Sequence, residues 1–253
     1  MQADLDTAIQ AIHVRFGEHS LQRAVRLPVS EPWPSGVAVV DRLSGIGGLP
    51  RGRISVLSGS ATSGKLSLGL ALLARATQAL AQVIVIDPGR GFDPSALAPL
   101  HADLRPLTLV RPHDAATTGE ATTALARAGA GFVLLLGSPG EADLAPLEAA
   151  SARSGTLVLA VVEVVSQPLA YASSLTLGLE RGGWLYERGE LIGVRSLVRC
   201  LKNKLAAPVG QAQVEIRYPL GAGLFFDTPV REAAAAPATD VEMETWAARS
   251  AAV

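Results

Sequence analysis

The run Gly59-Ser60-Ala61-Thr62-Ser63-Gly64-Lys65-Leu66 places two glycines and a lysine at the spacing G-x-x-x-x-G-K. That spacing suits a phosphate. Glycines let successive backbone N–H groups turn inward, and the lysine reaches the outer phosphates. The position after the lysine normally carries a Ser or Thr hydroxyl that ligates Mg²⁺, and here it is Leu66. Ser67 follows one residue later, turned about 100° round a helix, so it does not address the same metal. Gly59, Ser63, Gly64, Lys65, Leu66 and Ser67 therefore read as a degenerate nucleotide loop whose shape is kept and whose metal ligand is gone. No cofactor is required by this reading, and weak binding of ATP or ADP is compatible with it. The four histidines are scattered and make no metal-ligand spacing.

A phosphate loop works only at a strand end that leads into a helix, and the surrounding pattern supplies that context. Residues 54–57 read as a strand, the glycine-rich turn follows, and residues 66–81 read as a helix. Residues 83–86, 132–136 and the long apolar run 157–165 are further buried strands, with helices at 117–127 and 142–153 between them. Short apolar strands alternating with helices predict an α/β fold with a mostly parallel sheet covered on both faces. From Ser173 onward strands take over, at 174–179, 184–186, 194–201 and 214–218, as antiparallel hairpins extending the sheet.

Three segments are expected along the chain. Residues 1–27 hold a helix whose apolar face is Leu5, Ala8, Ile9, Ile12 and Phe16, and the proline-punctuated stretch 28–34 reads as a linker. Residues 28–227 hold the core. Residues 228–253 turn to Ala, Pro, Thr and acids and read as a flexible tail, with Met243 and Trp246 as candidate docking residues for a partner.

Composition limits the function. The chain has 253 residues, 49% of them hydrophobic, with 4% aromatic and a net charge of −1. Neither a basic balance nor an aromatic platform for bases is evident, which argues for weak or no direct DNA binding. A single cysteine, Cys200, cannot form an internal disulfide and suits a reducing cytoplasm. No apolar stretch reaches the roughly 20 residues that span a bilayer, so no membrane is expected.

Beyond the loop, several runs resemble the bacterial RecA recombinase family. Ala11-Ile12-His13-Val14-Arg15-Phe16-Gly17 resembles the helix by which one RecA protomer docks on the next. Gly47-Gly48-Leu49-Pro50-Arg51-Gly52-Arg53-Ile54 matches the approach to the phosphate loop, and Phe92-Asp93-Pro94 follows the second strand as in the family. The most specific match is Arg199-Cys200-Leu201-Lys202-Asn203-Lys204-Leu205-Ala206-Ala207-Pro208. The resemblance implies that its two lysines reach the ATP of a neighbouring protomer. It thereby makes Ile9, Ile12, Phe16, Lys202, Asn203 and Lys204 protein-interface residues.

The same resemblance marks losses. The position of the catalytic glutamate falls on Gly89, that of the Mg²⁺-supporting acid on Gly137, and that of the adenine-stacking aromatic on Ala96. With Leu66, four contributors to ATP chemistry are absent together, so the chain is expected to be a pseudo-ATPase with no catalytic residues. Both DNA-binding loops are too short as well. A shortened RecA relative of this kind resembles the ImuA accessory proteins of bacterial mutagenesis cassettes. A division-inhibitor-like branch is similarly shortened.

The implied role is a cytoplasmic, nucleoid-associated accessory protein of the SOS and translesion-synthesis response. Its implied partners are RecA, whose filament growth it limits, and a mutasome adaptor or error-prone polymerase. The alternative is a weak Mg²⁺-dependent ATPase or recombination mediator acting on DNA, with Arg111 or Arg181 helping to hold it.

Overall fold

The computed structural model describes residues 7, 10, 11, 14, 15, 31–207, 210–217 and 231–233. The chain divides into two compact units, Met1–Ser30 and Glu31–Val253. In the first, Thr7, Gln10, Ala11, Val14 and Arg15 are helical and exposed. Ile9, Ile12 and Phe16 lie outside the described residues, as do Met243 and Trp246.

The second unit is built on a nine-stranded sheet of order β3-β2-β4-β5-β1-β6-β7-β8-β9. Its parallel half comprises β1 (Ile54–Ser58), β2 (Val83–Ile86), β3 (Leu107–Val110), β4 (Phe132–Leu136) and β5 (Leu157–Val162). The helices are α1 (Ala38–Leu43) before β1, α2 (Lys65–Ala79), α3 (Ala115–Arg127) and α4 (Glu141–Ser154) between these strands, and α5 (Gln167–Ala172) after β5. Every residue of β1, β2 and β5 is buried. Such strands are apolar on both faces, so β2 and β5 read as unbroken runs rather than alternations, while β1 admits only the small polar Ser55 and Ser58.

The two faces are sorted residue by residue. Leu57, Phe132, Leu134 and Leu159 join Leu68, Leu72 and Leu73 of α2 in one cluster. Ile54, Val56, Val133 and Leu135 join Leu144 and Leu147 of α4 and Leu169 of α5 in another. Because side chains alternate along a strand, one strand feeds both cores, and parallel pairing brings the C-terminal ends of β1, β2, β4 and β5 to one edge of the sheet. That edge is where open α/β sheets carry their sites.

β6 (Leu175–Glu187) pairs parallel with β1, and then β7 (Glu190–Asn203), β8 (Gln211–Arg217) and β9 (Arg231–Ala233) continue antiparallel. The expected hairpin extension is present, with three corrections. The two strands expected at 174–179 and 184–186 are one, carried across Gly182 and Gly183 by a register shift between Arg181 and Gly183. Within the stretch expected as a tail, Arg231–Ala233 form β9 and pair with β8. Of the stretch expected as a linker, residues 31–34 belong to the fold. Trp33 is buried, exchanges backbone hydrogen bonds with Leu49 at 2.8 Å in each direction, and packs its ring 5.8 Å from that of Phe132.

After β5 the chain forms the short helix α5. Ser166 caps it by accepting from the Leu169 N–H. No helix among the described residues is long and apolar enough to cross a membrane.

Candidate functional site

β1 delivers the chain to Gly59, whose φ of +153° lies in the region open to glycine. Its N–H donates to the Glu163 carbonyl at 3.3 Å, which sets the loop beside the end of β5. The turn then closes on itself. The Ser63 N–H donates to the Ser60 carbonyl at 3.2 Å, and the buried Ser63 hydroxyl accepts from the Lys65 N–H at 3.4 Å. Gly64 enters α2 with φ +88°.

The loop rests on the inner face of the antiparallel strands. Ser196 of β7 donates its hydroxyl to the Ser63 carbonyl at 2.7 Å in a buried contact. A Cβ at Gly64 would run into Ile216 of β8, with Ser196 Oγ 3.0 Å away. At Gly59 it would collide with the Leu179 carbonyl of β6. The glycines expected for phosphate binding are thus also required by packing.

Lys65 reaches back across the loop and donates to the Ser60 carbonyl at 3.0 Å. Burial holds its pKa below the usual lysine value, while the nearby Glu163 carboxylate pulls it upward. Leu66, on the first turn of α2, is 44% exposed and Ser67 is half-buried. Among the described residues no group of three His, Cys, Asp or Glu side chains is placed to hold a metal.

Two residues at the rim were not legible as a pair. Arg181 of β6 donates from Nη1 to the Thr62 hydroxyl at 2.8 Å. Its guanidinium also lies 4.9 Å from the ring centroid of Trp184, which is 40% exposed. The sequence marks Arg181 only as an arginine that helps to hold DNA in the alternative reading, and Trp184 only as a residue of a late strand. A contact between residues 119 positions apart leaves no local trace.

After β2 and β4, glycine stands at the two positions that the resemblance gives to acids. After β2 the buried Asp87 carboxylate accepts from the N–H groups of Gly91 at 3.1 Å and Phe92 at 2.9 Å. Arg111 Nε stands 3.7 Å from the same carboxylate, and Arg111 Nη2 donates to the Phe92 carbonyl at 3.0 Å. Asp87 and Arg111 therefore fix this turn. Gly89 within it is exposed, and a Cβ there would meet nothing within 4 Å. Gly137, just past β4, has φ +142°, and its Cβ would meet only Pro88 Cγ, at 3.8 Å. Ala96 sits in the 3-10 helix Pro94–Leu100, half-buried against the first core cluster. It offers no ring to a base.

Lys202 and Asn203 close β7 half-buried, and Lys204 follows it exposed. Both lysines reach the end of α5: Lys202 Nζ bonds to the Ala170 carbonyl, and Lys204 Nζ to that of Tyr171. Those carbonyls are the electronegative end of the helix, a favourable seat for cations. Burial, followed by the charge of Lys204, lowers the pKa of Lys202. Asn203 donates to the Ser44 carbonyl at 2.7 Å and accepts from the N–H groups of Leu205 and Ala206.

Comparison with known proteins agrees with this architecture. Residues 3–151 match the RecA N-terminal domain. Protein RecA of Brucella anthropi is 29% identical, over 86% of this chain and 72% of its own. Protein RecA of Aquifex pyrophilus is 28% identical, over 86% and 74% respectively. Among solved structures, a RadB recombinase superposes with a TM-score of 0.57 at 18% identity, covering 72% of this chain and 94% of its own, and so supports the fold. With its phosphate loop on β1 and its sheet continued by antiparallel strands, the chain belongs to the RecA family.

Proposed function

We propose that this RecA-family, recombinase-like protein does not hydrolyse ATP and acts instead by binding RecA and limiting the growth of its filament. The observation that carries the reading is the contrast at one sheet edge. The glycines and Lys65 of the loop are kept and packed, while Gly89 and Gly137 stand where the resemblance places carboxylates. Positioned charge supplies most of the rate in phosphoryl transfer. An edge with glycine at both acid positions and Leu66 at the metal position lacks it.

In this reading the protein works in the cytoplasm at damaged DNA. There it frees the lesion for a mutagenic polymerase, whose adaptor is a second partner. On the same reading direct DNA binding is weak, since the segment between β5 and β6 holds only the six-residue helix α5 and the chain has no basic balance. Weak binding of ATP or ADP persists at the loop without being required.

The test is RecA's own ATP turnover and filament length on single-stranded DNA, with this protein added in several-fold excess. Shorter filaments and suppressed RecA turnover, with no turnover by this chain alone, are expected. Unchanged filaments would remove the RecA-limiting role. Mg²⁺-dependent hydrolysis by this chain alone would replace the reading with that of a weak ATPase acting on DNA.

A further inference from the structure

Lys65 is the cation that the loop's own motif supplies, but a second cation stands at the rim. Arg181 arrives from β6, on the opposite side of β1 from β5, and is held at two points. Its Nη1 donates to the hydroxyl of Thr62, a loop residue with φ +63°, and its guanidinium carbon lies over the Trp184 ring, 4.9 Å from the centroid. A cation–π contact and a bond to a hydroxyl both restrict a side chain that is otherwise flexible. An arginine restrained in this way presents its remaining N–H groups at lower entropic cost than a free one.

Magnesium in a phosphate loop neutralises charge on the phosphate chain, and it is held there partly by protein oxygen. Here Leu66 provides no oxygen, and Gly137 stands just past β4, where the resemblance places the acid that supports the ion. We propose that Arg181 takes the metal's charge-neutralising place, so that the loop holds the phosphate chain of a nucleoside di- or triphosphate without Mg²⁺. Guanidinium suits this task because it is always charged and bonds phosphate through two parallel N–H groups. The phosphates, not the base, are what the site recognises, since Ala96 carries no ring for stacking. Lys65 must release the Ser60 carbonyl to join them. Glu163, whose charge acts on Lys65, opposes the ligand.

The proposal rests on the reading of the site as non-hydrolysing, and it fails separately from it. Full-length protein is titrated calorimetrically with ADP, GDP and pyrophosphate, first in EDTA and then in Mg²⁺, while phosphate release from ATP is followed in parallel. The expected result is binding in EDTA that is similar for ADP and GDP, is retained by pyrophosphate and is not tightened by Mg²⁺. Arg181→Ala should weaken it by about tenfold or more. Arg181→Lys should recover only part, because an ammonium lacks the fork, and Glu163→Gln should tighten it. Thermal melts matching those of the parent protein show that the variants fold.

Binding that demands Mg²⁺, binding unchanged in Arg181→Ala, or no binding at all would overturn the proposal. Phosphate release with metal-free binding intact would sink the non-hydrolysing reading alone. Absent release together with absent metal-free binding would sink this inference alone.

Discussion

At Gly64 a single added carbon would strike Ile216, whereas at Gly89 it would meet nothing within 4 Å. These glycines belong to two regions of one sheet edge, the phosphate loop after β1 and the turn after β2. The first is wedged between α2 and the antiparallel strands, and its geometry is fixed by Ser196, Leu179 and Ile216. The second lies in the open, and the Asp87 carboxylate braces it without help from Gly89. A loop that holds the fold together keeps its shape whatever chemistry it performs. A position in open space is answerable only to chemistry, and can become glycine without cost to the fold.

The largest effect expected from this contrast is at Gly64. Gly64→Ala combines a left-handed backbone with a collision against Ile216 and should lower unfolding free energy by about 3 kcal/mol. Equilibrium denaturation would measure it, and a near-neutral result would mean that the loop is not held by packing. Gly137→Asp comes next. Space is available there, but φ +142° is strained for any side chain, so a loss of about 1–3 kcal/mol is expected. Restoring the acid is therefore not a simple reversal. Gly89→Glu should be smallest, within about 0.5 kcal/mol of the parent, and should start no hydrolysis while Leu66 and Gly137 remain. A cost at Gly89 equal to that at Gly64 would erase the contrast.

The parallel half of the fold was legible because burial on both faces leaves a plain trace, as in Val83–Ile86 and Phe132–Leu136. β3 was not, since it is a four-residue edge strand only partly buried, preceded by Pro106. α1 is six residues long and follows Pro34 and Gly36, a setting that reads as loop. Trp33 was hidden by the prolines around it, although one indole packed on Phe132 outweighs their signal. β9 lay within an Ala- and Pro-rich stretch whose composition says nothing of the partner strand that orders it. At the site, the loop spacing and the glycines at the strand ends could be read directly. The tether from Arg181 to Thr62 could not, because it depends on which strand lies next to β1.

The place of β1 in the strand order also governs how the molecule can be made. β1 is the middle strand of nine, yet Ile54 pairs with Val158 and Ser55 with Leu175, so both its neighbours come much later in the chain. During synthesis a strand that is wholly buried in the fold must wait, unpaired, until β5 has left the ribosome. Contacts so distant in sequence are slow to form and leave sticky edges exposed meanwhile. The strand that carries the phosphate loop is therefore the last of the parallel set to be enclosed, and the nascent chain is most vulnerable to aggregation before Leu157 emerges.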